Sequence, residues 1–250
     1  MKPLIASIRW RLFSAARALG YSSPPCVHGV TVPLNLLPVA GILRRLDGGL
    51  YEAKEAYLIR KWLPVGAAVL ELGASLGVIS SVILQKNPSR LVSVEAIPNL
   101  AACAIGVVRH NHPQARWELL ETAIEYGASE VSFEVSSDSS AVGKVSGSSD
   151  HTKTIRVRAM TLSEIHTAKD IAPDSWLVCD IEGMEAKLPL LDAAALSKHA
   201  GIILETHDTE VGGKKYSHAE VLDLFVNAGF ELRDRRGRVA VLTRRPSTPT

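Results

Sequence analysis

Residues 69–77 read VLELGASLG, an apolar run broken only by Glu71 that ends in two glycines, Gly73 and Gly77. A short apolar run stopped by glycine reads as a buried strand. The apolar residues 78–85 that follow have helical character. Strand, glycine turn and helix therefore come in immediate succession, which leaves the free N–H groups of the helix start at the carboxyl end of the strand.

Working outward, the rhythm repeats. Residues 91–95 (LVSVE) are β-branched and apolar, 99–111 read as a helix, and 117–120 as a further strand. Upstream, 51–62 (YEAKEAYLIRKW) carry helix formers at helical spacing, closed by Pro64-Val65-Gly66. Downstream, 176–181 (WLVCDI) and 201–207 (GIILETH) resume the strand pattern, followed by a helix over 218–228 and closing strands at 230–233 and 239–243. Strands alternating with helices predict an α/β, Rossmann-like fold: a mostly parallel sheet of about seven strands, helices on both faces, and an antiparallel terminal hairpin.

Two alternating stretches, 131–135 and 154–160, flank the serine- and glycine-rich 136–149. They predict a β-hairpin insertion near 129–160 with a mobile tip, and a short helix over 161–166 follows. The expected organisation is an N-terminal helical or extended segment, 1–48, packing on the core, a main domain over 49–243, and a flexible tail at 244–250.

At 250 residues and 46% hydrophobic composition the chain supports one substantial domain. Its 28 basic and 26 acidic residues leave a net charge of +2, no footprint for wrapping nucleic acid. Cys26, Cys103 and Cys179 are odd in number and lack metal or redox spacing, which fits a reducing, cytoplasmic setting. The N-terminal 20 residues mix arginines with apolar residues. Their apolar runs are too short for a signal peptide or a membrane span, so no stable membrane insertion is expected; such a basic amphipathic segment either packs on its own domain or lies on a membrane surface.

In an open α/β sheet, ligands sit beyond the carboxyl ends of the strands, where the first strand enters its helix. Gly73 and Gly77 allow close approach to the main chain, and Glu95 ends the second strand, placed for the two hydroxyls of a ribose. A dinucleotide fold wants G-x-G-x-x-G, but Ser75 and Val78 stand at its second and third glycines. Glu71 adds negative charge that suits a sulfonium and an amino group better than a diphosphate. These features point to S-adenosyl-L-methionine, against the plainer reading of a glycine turn that serves packing only.

Several segments in order then resemble one family, the FkbM methyltransferases: LYEAKEAYLI, VLELGASLGVISSVI, VEAIPNLAACAIGVVRHN, TAIEYGASEVSFEV, DIEGMEAKL and IILETH, spanning about residues 49–230. The resemblance implies a class I methyltransferase fold and a methyltransferase dependent on S-adenosylmethionine, generally methylating oxygen. It places Gly73, Ala74, Ser75 and Gly77 at the methionine moiety, Glu95 and its neighbour Ala96 at the ribose, and Thr122 and Ala123 near the adenine. Where the family usually has asparagine this chain has Ser75, and where it has lysine, Val178.

A methyl acceptor hydroxyl must lose a proton. Asp180 and Glu182 follow one predicted strand and Glu205 and His207 close another, so all four gather at the carboxyl edge. Asp180 is placed closest to the transferred methyl, with helix capping near Met184 as its alternative role. Glu182 and His207 complete the catalytic set, and His207 is a candidate base. Such a cluster can also bind a divalent cation, although no metal is expected to be required. The remaining histidines show no ligand spacing and are expected to be mostly solvated. The acceptor expected is a hydroxyl on a small molecule or glycan, and a homo-oligomer is left open. A catalytically silent binding module, motivated by Ser75 and Val178, and an NAD-type oxidoreductase are the competing readings.

Overall fold

The structure is a computed structural model that describes residues 3–19, 23–37, 40–136 and 152–245. The chain runs α1 (Pro3–Ala18), β1 (Cys26–Val27), β2 (Val30–Thr31), α2 (Ala40–Gly48), α3 (Ala53–Trp62), β3 (Ala68–Leu72), α4 (Val78–Leu84), β4 (Arg90–Glu95), α5 (Pro98–Asn111) and β5 (Trp117–Glu121). It continues through β6 (Ala123–Ile124), β7 (Glu130–Ser136), β8 (Thr152–Met160), α6 (Leu162–Ala168), β9 (Trp176–Cys179), α7 (Lys187–Leu191), α8 (Ala193–Leu196) and β10 (Gly201–Glu205). The last elements are β11 (Thr209–Val211), β12 (Lys214–Tyr216), α9 (His218–Asn227), β13 (Phe230–Arg236) and β14 (Val239–Arg244).

Seven strands form the main sheet in the order β13-β14-β10-β9-β3-β4-β5. Strands β3, β4, β5, β9 and β10 are parallel, and β14 runs antiparallel to both β10 and β13. The expected α/β fold with a mostly parallel sheet and an antiparallel terminal hairpin is what forms. The chain lays β3 at the centre, builds out to β5, then returns to the other side of β3 with β9. Between β3 and β9 the winding direction reverses, and a crevice opens at the carboxyl edge of such a switch point.

One face of the sheet is covered by α3, α4 and α5 through residues such as Leu58, Ile59, Val82 and Val107. Val27, Val30, Val32, Ile42 and Leu46 of the N-terminal segment are buried in the same layer. The other face holds Ile165, Leu188, Leu196 and Phe225. Capping boxes at Thr161/Glu164 and Ser217/Glu220 start α6 and α9. Gly73 (φ 92°) lies where β3 meets the chain after β9: a Cβ there would sit 1.9 Å from the Asp180 carbonyl oxygen. At Gly77 a Cβ would meet the Ala104 Cα at 2.8 Å, so this glycine lets α4 touch α5.

Several local expectations shift. The helix expected from Tyr51 starts at Ala53, because Glu52 is left-handed with φ 48°. The helix expected near Met184 starts at Lys187. There the chain first turns through Glu182 (φ 51°) and Gly183 (φ 103°), and the Glu185 carboxylate ties the turn by accepting from the Ile181 and Gly183 N–H groups. The insertion is the antiparallel pair β7–β8, with β6 parallel to β8. Its serine-rich tip, 137–151, lies outside the described residues, as do residues 246–250 of the tail. No helix among the described residues is long and apolar enough to cross a membrane.

Candidate active site

A cavity of about 770 Å³ opens over the carboxyl edge of the sheet, with Gly73, Ser75, Glu95, Thr122, Asp180 and His207 in its walls. At one end Glu95 closes β4. Its carboxylate is fixed by main-chain donors: Ser75 N–H at 2.7 Å and Ile97 N–H at 2.9 Å. Burial raises its pKa, and these donors work against the rise. Ala96 and Ala123 line the same end. Thr122 donates through Oγ1 to the Arg158 carbonyl at 2.9 Å, which ties the insertion to the cavity wall.

The glycine turn is held from both sides. Gly73 and Ala74 N–H groups donate to the Val94 carbonyl, and Ser75, left-handed with φ 48°, shares a 2.9 Å hydrogen bond with the Tyr51 hydroxyl. Arg45 stacks over the Tyr51 ring at 5.3 Å and also lines the cavity. A guanidinium thus stands on the glycine-turn side of the space.

The opposite end is acidic. Asp180 has one carboxylate oxygen, Oδ1, that is buried and has no hydrogen-bond partner. His207 Nε2 lies 3.9 Å from that oxygen and 3.6 Å from Glu182 Oε2, while His207 Nδ1 is 3.0 Å from Glu185 Oε1. Burial raises the Asp180 pKa to about 7, with Glu205 and Glu182 adding to the rise and His207 opposing it. Burial by itself would lower the pKa of His207, but Glu185, Asp180 and Glu182 outweigh it and raise it to about 9. Nearby, burial and the Glu205 side chain raise Glu55 to about 8, and Glu52 is pushed up by burial and by Glu55.

The structure brings Gly73, Ser75, Glu95, Ala96, Thr122, Ala123, Asp180, Glu182 and His207 around one cavity. It corrects Glu71. That side chain points into the α4 layer, where Ser80 Oγ donates to it at 2.6 Å and Ser93 also donates, so its charge is not offered to a ligand. It is buried and its pKa rises to about 7 through burial. Ala74 and Gly77 act through the backbone and through helix packing and are not in the cavity wall. Asp180 caps no helix, since α7 begins seven residues on at Lys187. His166 and His199 are buried, exceptions to the expectation of mostly solvated histidines, while His28, His110, His112 and His218 are exposed or partly exposed.

The sequence reading missed Glu185, fully buried behind His207, and Tyr51, which braces Ser75. Only the turn at 181–185 brings Glu185 back to the strand end, and its place three residues past Glu182 was the one available signal. Donor atoms of Asp180, Glu185 and His207 lie within 4.8 Å of one another, a spacing a cation could use. Glu185 is already engaged by two main-chain N–H groups and His207.

The Methyltransferase FkbM domain matches residues 65–232. The chain belongs to this family. Among solved structures it is similar to a protein in the NADB-Rossmann superfamily from Streptococcus agalactiae (13% identity, 79% of this chain and 70% of that chain, TM-score 0.48). It is also similar to magnesium protoporphyrin IX methyltransferase from Synechocystis PCC 6803 with bound SAH (11% identity, 97% and 98%, TM-score 0.47). A third is ribosomal protein L11 methylase from Lactobacillus delbrueckii subsp. bulgaricus (11% identity, 76% and 77%, TM-score 0.46). No curated protein matches the sequence.

Proposed function

We propose that this chain transfers a methyl group from S-adenosylmethionine to a hydroxyl of a small molecule or glycan. Membership of the FkbM family supports methyl transfer. Three features of the cavity fit the donor. Glu95 presents a positioned carboxylate, suited to two ribose hydroxyls and repelling phosphate. Arg45, over Tyr51 and beside the Ser75 turn, suits an α-carboxylate. The acidic end suits positive charge. S-adenosylmethionine supplies a sulfonium-activated methyl group, whose transfer to oxygen leaves one proton to be removed.

The observation that carries the acid–base reading is the unpartnered Asp180 Oδ1. A carboxylate with a pKa of about 7 is matched to proton abstraction near neutral pH. His207, surrounded by three carboxylates, is an imidazolium there, so it is the positioning residue and Asp180 takes the proton. Glu185 fixes the ring through Nδ1 and leaves Nε2 turned toward Asp180 and Glu182. On this reading Asp180, and not His207, is the base.

Calorimetry with S-adenosylhomocysteine tests the donor half. Binding should be one to one, and Glu95→Ala should weaken it at least about tenfold, the cost of losing charged hydrogen bonds to ribose. Absence of binding to the intact chain defeats the reading.

A further inference from the structure

The two ends of the cavity's acceptor side have opposite charge. Its floor carries Glu55, Glu205 and Asp180. Its lip carries Lys54, from the first turn of α3, and Arg236, from the end of β13. Lys54 reaches the terminal hairpin next to Arg236: a Cβ on Gly237, the residue after Arg236, would lie 3.0 Å from the Lys54 Nζ. Among the described residues neither makes an ion pair, whereas Lys61, Lys187, Arg233 and Arg238 are each matched with a carboxylate.

Arg236 is also oriented. Its guanidinium lies over the Tyr57 ring, 3.4 Å from the centroid. Face-on stacking fixes the plane of the group and leaves its in-plane N–H donors at the edge for two oxygens of one anion. Nearby, Lys54 adds a mobile point charge. Both residues lie outside the matched segment 65–232, so the family match does not assign them.

We propose that Lys54 and Arg236 form a subsite for a phosphoryl group on the acceptor. The acceptor is then a polarised molecule, its neutral hydroxyl directed to Asp180 on the floor and its phosphate held at the lip. An anion is repelled by the floor and attracted by the lip, which fixes the direction of entry. That the occupant is the methyl acceptor rests on the methyl-transfer reading; the anion site itself can be measured without it.

The experiment is calorimetric titration of pyrophosphate into the full chain, alone and saturated with S-adenosylhomocysteine. Pyrophosphate should bind with a Kd near or below about 1 mM in both states. Lys54→Gln combined with Arg236→Gln should weaken it at least about tenfold, and Lys54→Gln alone by a smaller factor, with S-adenosylhomocysteine affinity unchanged. Arg233→Gln, on the same hairpin but outside the cavity, should leave pyrophosphate binding as it is. Equal binding by the double variant overturns the subsite, as does an equal loss in Arg233→Gln. Displacement of S-adenosylhomocysteine by pyrophosphate also overturns it, since the cations would then belong to the donor's own pocket. Failure of S-adenosylhomocysteine to bind at all strikes the methyl-transfer reading, while the titration of the chain alone still decides the lip.

Discussion

The two edges of the main sheet each hold a buried or half-buried histidine, and their surroundings drive them in opposite directions. At the carboxyl edge His207 sits among Glu185, Asp180 and Glu182, and its pKa rises to about 9. At the amino edge His199 is packed against His166, ring edge to ring face, with their Nε2 atoms 3.1 Å apart and Ser175 Oγ 2.9 Å from His199 Nδ1. Burial, His166 and Arg244 push His199 down to about 3. Among the described residues no carboxylate hydrogen-bonds to this pair, and burial lowers the pKa of both rings. The amino edge is built as a packed core. The carboxyl edge instead gathers acids whose burial and mutual repulsion raise the Asp180 and Glu55 pKa values to about 7 and about 8, a pattern typical of functional sites.

The largest test of that contrast is Asp180→Asn. Loss of the proposed base should cost about 10²-fold to 10⁴-fold in kcat. S-adenosylhomocysteine binding should persist and thermal stability should hold or rise, because the charge behind a buried, unpartnered carboxylate oxygen is removed. Methyl transfer at the wild-type rate would show that the orphaned oxygen takes no proton.

His207→Gln should act more through pH than through rate. The imidazolium lowers the Asp180 pKa, so without it the inflection of kcat/KM, near 7 in the wild type, should move to higher pH. An unmoved profile would mean that the two groups do not communicate.

The amino edge should show itself in acid. His199 has a folded pKa below its unfolded value near 6.5, so the unfolded chain takes up the proton first. Its stabilising contribution is complete above about pH 6.5 and is lost as pH falls toward 3, on the order of 3 kcal/mol by pH 4. His207 runs the other way: its contribution is complete below about pH 6.5 and fades as pH rises through 9. Urea midpoints measured from pH 4 to 9 should therefore fall on the acid side in the wild type and fall less in His199→Gln. An identical acid limb in both proteins would remove the histidine pair from the account.

Fold and site were legible in the sequence to different depths. The central strand, the glycine turn and the next helix follow from periodicity and glycine placement, and the strands lie close to where they were read. Strand-end position also collected Glu95, Asp180 and His207, because parallel strands deliver their carboxyl ends to one edge. What could not be read is what depends on a turn's exact path. Glu185 reaches His207 only because Glu182 and Gly183 take positive φ, and Lys54 meets the Arg236 hairpin across 182 residues of chain. The short pair β11–β12 is too brief to show a period. Glu71 was misread for a related reason: an acid in an apolar strand next to a glycine turn resembles a site residue, but strand alternation turns it toward Ser80 and Ser93.

That misreading supplies the finest test. With a pKa of about 7, Glu71 is largely protonated at slightly acid pH, held by two hydroxyl groups in the α4 layer. Glutamine has nearly the same shape, and its amide oxygen can stand in for Oε2, which accepts from both hydroxyls, so Glu71→Gln should cost under about 1 kcal/mol of stability at pH 6. S-adenosylhomocysteine affinity should stay within about twofold, far below the tenfold step that 1.4 kcal/mol represents. A larger loss, growing as pH rises above 7, would mean that the Glu71 carboxylate acts on the bound donor through the sheet. The functional charge would then reach a layer deeper than the carboxyl edge, and the division between the two edges would have to be redrawn with β3 on the active side.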